Sequence, residues 1–167
     1  MAKLPNWIYR SERIGKNGKP FSLLKIRTIK VGTRTSFAEE QHYTKYGRFL
    51  RKIKADELPQ IINILKGDMA WFGPRANFQE FWDIAPEHIK KKILSVKPGL
   101  LSPASLYFHD EEKLLQGYED KYKTYYTVVQ PMKFALDSFY IEHRCVLLNL
   151  ALIWITIKVL TKSLFNK

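Results

Sequence analysis

GRFLRKIKADELPQIINILKGDMAWFGPR, residues 47–75, carries more structural information than any other part of this chain. Leu58, Ile61, Ile62 and Leu65 recur at helical spacing, which predicts a helix with a buried apolar stripe that Gly67 is placed to stop. Pro59 fits the first turn, where backbone N–H groups lack intrahelical partners in any case, and this puts Asp56 and Glu57 at the helix start. Four cations, Arg48, Arg51, Lys52 and Lys54, lead into the acidic pair. A short apolar run follows and breaks at Gly73-Pro74, a turn that presents Arg75.

Towards the N-terminus, Trp7-Ile8-Tyr9 and the run SLLKIRTI read as two strands joined through a Gly-rich turn, with Asn17-Gly18 the strongest hairpin signal. The period of two sets Lys25 and Arg27 on one face and Leu24 and Ile26 on the other. Val31 to Tyr46 is polar and loop-like. Beyond Arg75, residues 78–95 predict a helix in two pieces parted at Pro86, and KPGLLSPAS, residues 97–105, reads as a loop. Helices are expected over 111–126 and 128–144, around Pro131, and an apolar helix over 145–165 closes the chain. The fold class is α+β, mostly helical with an N-terminal β-hairpin and short strands, in one domain spanning 1–167.

Apolar residues at 46% and aromatics at 14% supply enough burial to offset chain entropy. Lys and Arg number 28 against 16 Asp and Glu, and the net charge of +12 points to negatively charged partners: nucleic acid, anionic lipid or a diphosphate. Cys145 is the single cysteine, which excludes an internal disulfide, and the four histidines lack metal-ligand spacing. From Cys145 to Ile157 run 13 uncharged residues, short of the roughly 20 that span a bilayer, so this segment suits an interfacial or core helix. Asn149, Thr156 and Ser163 recur every seven positions as a thin polar stripe, as expected of a helix pressed between protein and lipid. Trp154 and Phe165 are placed to anchor at headgroup level, with Lys158, Lys162 and Lys167 facing anionic phosphate.

Asp56 and Glu57 are the sharpest chemical feature, because several cations flank them. Phosphoryl transfer needs such a mixture: one carboxylate to attack or activate, another to hold a divalent metal, and guanidiniums to neutralise phosphate oxygens. Arg51 and Arg75 each offer a planar fork of donors for a diphosphate. From local physics alone, ordinary helix capping is the leading explanation of the acidic pair, and solvated surface charge is that of each arginine taken singly.

RSERIGKNGKPFSLLKIRT, GRFLRKIKADELPQIINILKGDMAWFGPR and KPGL, in this order and spacing, resemble the bacterial sugar transferase family, also called small monotopic phosphoglycosyl transferases. The resemblance runs from about Pro5 to the C-terminal helix. It implies a two-step reaction at the cytoplasmic face of the bacterial inner membrane. The Asp of the dyad attacks the β-phosphorus of a UDP-sugar, releases UMP and forms an acyl-phosphate, from which polyprenyl phosphate collects the phosphosugar to initiate a surface glycan. Carried onto this sequence, Asp56 is the expected nucleophile and Glu57 the expected ligand of Mg²⁺. Arg51 and Arg75 match phosphate-binding positions, and Lys25, in the corresponding strand, is a further expected substrate- and phosphate-binding residue.

The chain also departs from the family pattern. Family members ordinarily begin with an apolar re-entrant membrane helix just before the hairpin, and this sequence starts where that helix would end. Attachment is then expected through the basic surface, aromatics and the C-terminal helix, or through a separate membrane partner, and a homodimer is a further candidate partner. After KPGL the run LSPASLYFHDEE replaces the usual Thr-Gly pair, and His109 stands where a basic residue is expected. Two other readings stay open at this stage. One is a basic nucleic-acid-binding module, which gives no reason for the Asp-Glu-Leu-Pro-Gln helix start. The other is an inactive truncated transferase serving as a partner subunit.

Overall fold

The computed structural model describes residues 5–30, 42–109 and 111–165. The expected loop from Val31 to Tyr46 therefore lies outside the described residues as far as position 41, as do Lys167 and the side chain of Phe165.

Strands β1 (Ile8–Ile14) and β2 (Pro20–Ile26) pair antiparallel, with Ile14 opposite Pro20 and Tyr9 opposite Lys25. Asn17 (φ 58°) and Gly18 (φ 75°) both take the left-handed conformation, as the Asn-Gly signal implies. Helix α1 (Lys45–Lys52) follows, its first turn capped by Thr44, whose hydroxyl accepts the Gly47 N–H. A 3-10 turn, Ala55–Glu57, then leads into helix α2 (Gln60–Leu65). Gly67 (φ 83°) ends α2 as predicted.

The buried stripe expected on α2 is not there. Leu58, Ile62 and Leu65 face outward, Leu65 being 82% exposed, while Gln60 and Asn63 are the buried residues of the helix. The reason is β2: the Asn63 side chain accepts the Leu24 N–H (3.0 Å) and donates to the Ser22 carbonyl (2.8 Å). An amide that satisfies two backbone groups of a neighbouring strand must face that strand, which turns the apolar side of the helix away.

Strand β3 (Ala70–Phe72) pairs in parallel with β4 (Gly99–Leu101), which replaces part of the loop expected over residues 97–105. The two backbones touch at Gly73 and Gly99: a Cβ on Gly99 would meet the Gly73 nitrogen at 2.1 Å. Helix α5 (Pro103–Tyr107), capped by Ser102, takes up the rest of that segment. Helices α3 (Gln79–Ile84) and α4 (Glu87–Leu94) part at Pro86 as predicted.

After α6 (Glu111–Leu115) the chain forms α7 (Lys121–Thr124), a π-helical turn over Tyr125–Val129 and α8 (Gln130–His143) without leaving helical backbone angles. The two expected helices thus divide at residues 116–120 rather than at residue 127. Pro131 lacks an N–H and its ring crowds the preceding turn, and the wider π turn accommodates both. Phe81, Trp82, Ile93, Val129 and Phe134 form the main core, where α3, α4 and α8 meet the end of the hairpin at Ile14.

Helix α9 (Val146–Phe165) is longer than the 13-residue uncharged run. Val146–Leu164 is long and apolar enough to cross a membrane by length and composition, and only 6% of it is buried. An internal core helix is excluded by that exposure. The polar stripe meets protein at its two ends, where Asn149 accepts from the Tyr140 hydroxyl (2.8 Å) and Ser163 donates to the Lys52 carbonyl (2.9 Å). Leu152 is buried between them. Leu147, Leu150, Trp154 and Ile157 face outward, with Lys158 lying over the Trp154 ring.

Candidate active site

Lys54 is left-handed (φ 57°), and this kink separates α1 from the 3-10 turn that carries the acidic pair. Neither carboxylate caps α2: its N-cap is Pro59, with no side-chain bond. The capping explanation is thereby removed. Asp56 is 6% exposed, and its Oδ1 is buried without a hydrogen-bond partner. Glu57 Oε1 instead accepts from Lys25 Nζ at 2.9 Å and from Arg75 Nη2 at 3.4 Å. Three residues far apart in sequence, on β2, the turn and the Gly73-Pro74 loop, therefore meet at one carboxylate.

Arg75 is held at more than one point. Its Nη1 donates to Ser105 Oγ (2.8 Å), and its backbone N–H donates to Asp137 Oδ2 (2.9 Å). Asp137 Oδ1 accepts from Ser102 Oγ (3.0 Å), the residue that caps α5. Parallel pairing of β3 and β4 brings the Arg75 loop and the start of α5 side by side, and α8 supplies the buried aspartate that joins them. Arg51 lies over the Tyr43 ring, 4.5 Å from its centroid, and its charge acts on Asp56. Arg27 stays out of this cluster, donating to the Asn6 carbonyl and lying near the Tyr9 ring. His109 contacts the Leu106 carbonyl at the exposed end of α5.

The two neighbouring carboxylates are driven in opposite directions. Burial pushes the Asp56 carboxyl up, against the opposing pull of the Lys25 charge. Burial would raise Glu57 as well, but the charges of Lys25, Arg75 and Lys54 hold it well below the usual carboxylate range. Burial also pushes Asp137 up, to about 6, despite its hydrogen bonds to Arg75 and Ser102. Such a site can keep one carboxylate firmly ionised between cations while the other presents a bare oxygen. That division suits covalent attack on a phosphorus atom.

Sequence reasoning missed three participants. Lys133, on α8, is 6% exposed; it pairs with Glu111 and donates to the Tyr125 hydroxyl. Asp137 carries the Arg75 loop. Arg13, on β1, lies over the Phe78 ring beside that same loop. Only for Arg13 was a signal present. The Asn17-Gly18 turn fixes a register that puts Arg13 on the hairpin face that carries Lys25.

The family described as bacterial sugar transferase matches residues 2–163. A Bacillus subtilis (strain 168) protein named as an uncharacterized sugar transferase, EpsL, is 30% identical over 154 residues, covering 90% of this chain and 67% of the relative. A Caulobacter vibrioides protein named UDP-glucose:undecaprenyl-phosphate glucose-1-phosphate transferase is 41% identical over 106 residues, which is 59% of this chain and 40% of the relative. An Escherichia coli (strain K12) protein of the same name is 33% identical over 108 residues, 59% of this chain and 23% of the relative. The matched region thus spans less than half the length of the two relatives named for that reaction. A family match over nearly every residue, joined to a buried Asp-Glu step ringed by cations, makes this chain a member of the bacterial sugar transferase family.

Proposed function

We propose that the chain transfers a sugar 1-phosphate from a UDP-sugar to polyprenyl (undecaprenyl) phosphate, with release of UMP, through a covalent aspartyl intermediate. The observation that carries this reading is the pairing of a buried, partner-free Asp56 Oδ1 with a Glu57 held by Lys25 and Arg75. An Asp56 carboxylate oxygen attacks the β-phosphorus. The bond from phosphorus to the bridging oxygen breaks, and its electron pair leaves on UMP. An oxygen of polyprenyl phosphate then attacks the same phosphorus, the P–O bond to Asp56 breaks, and the carboxylate is restored. Arg51 and Arg75 neutralise phosphate charge during both displacements, and Lys25 keeps Glu57 oriented and ionised.

The residues present suit Mg²⁺. Among the described residues no three His, Cys, Asp or Glu side chains cluster as a metal set. Mg²⁺, however, commonly takes one or two carboxylates together with substrate phosphates and water, and Glu57 next to the buried Asp56 is one such carboxylate, which leaves Asp56 Oδ1 as the attacking atom. Glu57 would hold the ion, which when bound would draw charge from the diphosphate.

Attachment to the cytoplasmic face of the membrane is part of the same proposal. It is supported by the outward apolar face of α9, by the exposed Leu58, Ile62 and Leu65 that follow the dyad in sequence, and by the basic residues of α1. Membranes holding the protein, supplied with labelled UDP-sugars, Mg²⁺ and polyprenyl phosphate, are expected to yield lipid-linked label and UMP. Asp56→Asn should abolish both half-reactions, whereas Arg51→Ala should mainly weaken phosphate handling. Undiminished turnover by Asp56→Asn would remove the nucleophile and the reading with it.

A further inference from the structure

The hairpin register puts Tyr9, Ser11, Arg13, Leu23 and Lys25 on one face. Lys25 meets Glu57 at one end of that face. Arg13, opposite Phe21, stands four strand positions nearer the turn, about 13 Å along the ribbon at ~3.3 Å per residue. There the Ile14 N–H donates to the Asn77 carbonyl (3.0 Å), which fixes β1 beside the loop that carries Arg75. Arg13 Cζ sits 3.2 Å from the Phe78 ring centroid. Its Nε is buried without a hydrogen-bond partner, in contrast to Arg75, whose terminal nitrogens meet Glu57 and Ser105.

The charges at this end do not balance. Lys25 and Arg75 share Glu57, Lys133 has Glu111, and Arg13 has no ion-pair partner among the described residues. Burial and the adjacent Arg75 push Arg13 down to about 9, which leaves it charged at neutral pH. A cation buried beside another cation is costly unless an anion joins them. A guanidinium held over a ring by its face keeps its edge N–H groups for two oxygens of one tetrahedral anion.

We infer that Arg13 and Arg75 form an anion subsite beside the loop that carries Arg75, nearer the hairpin turn than Lys25, and that it receives the phosphate of the departing nucleoside monophosphate. The inference rests on the transferase reading for the identity of that anion. When the bond between the β-phosphorus and the bridging oxygen breaks, the electron pair moves onto the leaving phosphate, which gains negative charge. Arg13 and Arg75 sit to neutralise it, while Arg51 and Lys54 act at the Asp56 end.

The test is calorimetric titration of the detergent-solubilised full chain with two probes, inorganic pyrophosphate and UMP. Arg13→Gln, which keeps the stem over Phe78, is expected to weaken both by about tenfold or more, and Arg13→Lys, which keeps the charge and loses the fork, by several-fold. The unliganded thermal midpoint should hold or rise in either variant, since a buried unpaired charge has been removed or made more adaptable. Should Arg13→Gln fail to fold, Arg13→Lys decides. UMP and pyrophosphate affinities equal to wild type in the folded variants would overturn the subsite and leave the transferase reading intact. Pyrophosphate binding that depends on Arg13, in a protein that neither binds UMP nor turns over UDP-sugars, would uphold the subsite as an anion site and overturn the transferase reading.

Discussion

Two regions of this molecule follow opposite rules of burial. Around Trp82, the helices α3 and α4 turn Phe81, Trp82 and Ile93 inward onto Val129 and Phe134, an apolar cluster beside which α8 also buries Gln130, Lys133, Asp137 and Ser138. In α2 and α9 the arrangement is reversed: Asn63 and Gln60, or Asn149 and Ser163, face protein, while leucines, isoleucines and a tryptophan face outward. The first pattern is that of a protein in water. The second makes sense where the outer medium is itself apolar. The acidic pair sits on the turn that leads into α2, at the edge of the reversed region, which is where the proposed transfer from a water-soluble donor to a lipid acceptor would need it.

The contrast is most exposed to refutation at Asn63. Replacing it with leucine would improve an ordinary core, yet here Asn63→Leu should cost about 2–4 kcal/mol by leaving the Leu24 N–H and the Ser22 carbonyl unsatisfied. Chemical denaturation in detergent measures this, and a neutral or stabilised variant would mean that α2 obeys the same rule as α3.

A second probe lies on α8, where Asp137 is a buried carboxyl at the border of the aromatic core. Its folded pKa of about 6 exceeds that of the unfolded chain, so its contribution favours the folded state at low pH and is lost as pH rises from about 4 through 6. Glu57 has the opposite sign, contributing stability that disappears on acidification. The difference between Asp137→Asn and wild type isolates the Asp137 part. The variant should gain up to about 3 kcal/mol relative to wild type across that window and no more above it. A flat difference profile would show that Asp137 stays ionised throughout.

The smallest effect on folding should come with the largest effect on attachment. Leu58→Ser, Ile62→Ser and Leu65→Ser together should shift unfolding free energy by no more than about 1.5 kcal/mol, the sum of three surface changes. Flotation with vesicles containing anionic lipid should nevertheless fall several-fold. If stability collapsed instead, these side chains would have to be packed against protein.

Much of this architecture was legible from local signals. Asn17-Gly18 and Pro86 act through their own backbone preferences, and the structure keeps the hairpin and the divided helix they predict. The α2 periodicity correctly marked a helix with an apolar side. A period, however, says which residues share a face and nothing about what that face meets, and Asn63 decided the matter through two bonds to a distant strand. Strand β4 was hidden because its three residues become a strand only by pairing with β3, in a segment whose prolines and glycine read as loop. At the site, Asp56, Glu57, Lys25 and Arg75 were legible as residues, and the structure brings Lys25 and Arg75 onto Glu57. Asp137 and Lys133 could not be found that way, because their neighbours lie tens of residues away along the chain.

The contact of Gly73 with Gly99 has a bearing on how such a protein can diversify. With the two chains meeting backbone to backbone, even one methyl group at either place would pry apart the strands that aim Arg75. At Gly117, by contrast, an added Cβ meets nothing within 4 Å, so a larger side chain there can be accommodated without parting the strands that hold Arg75.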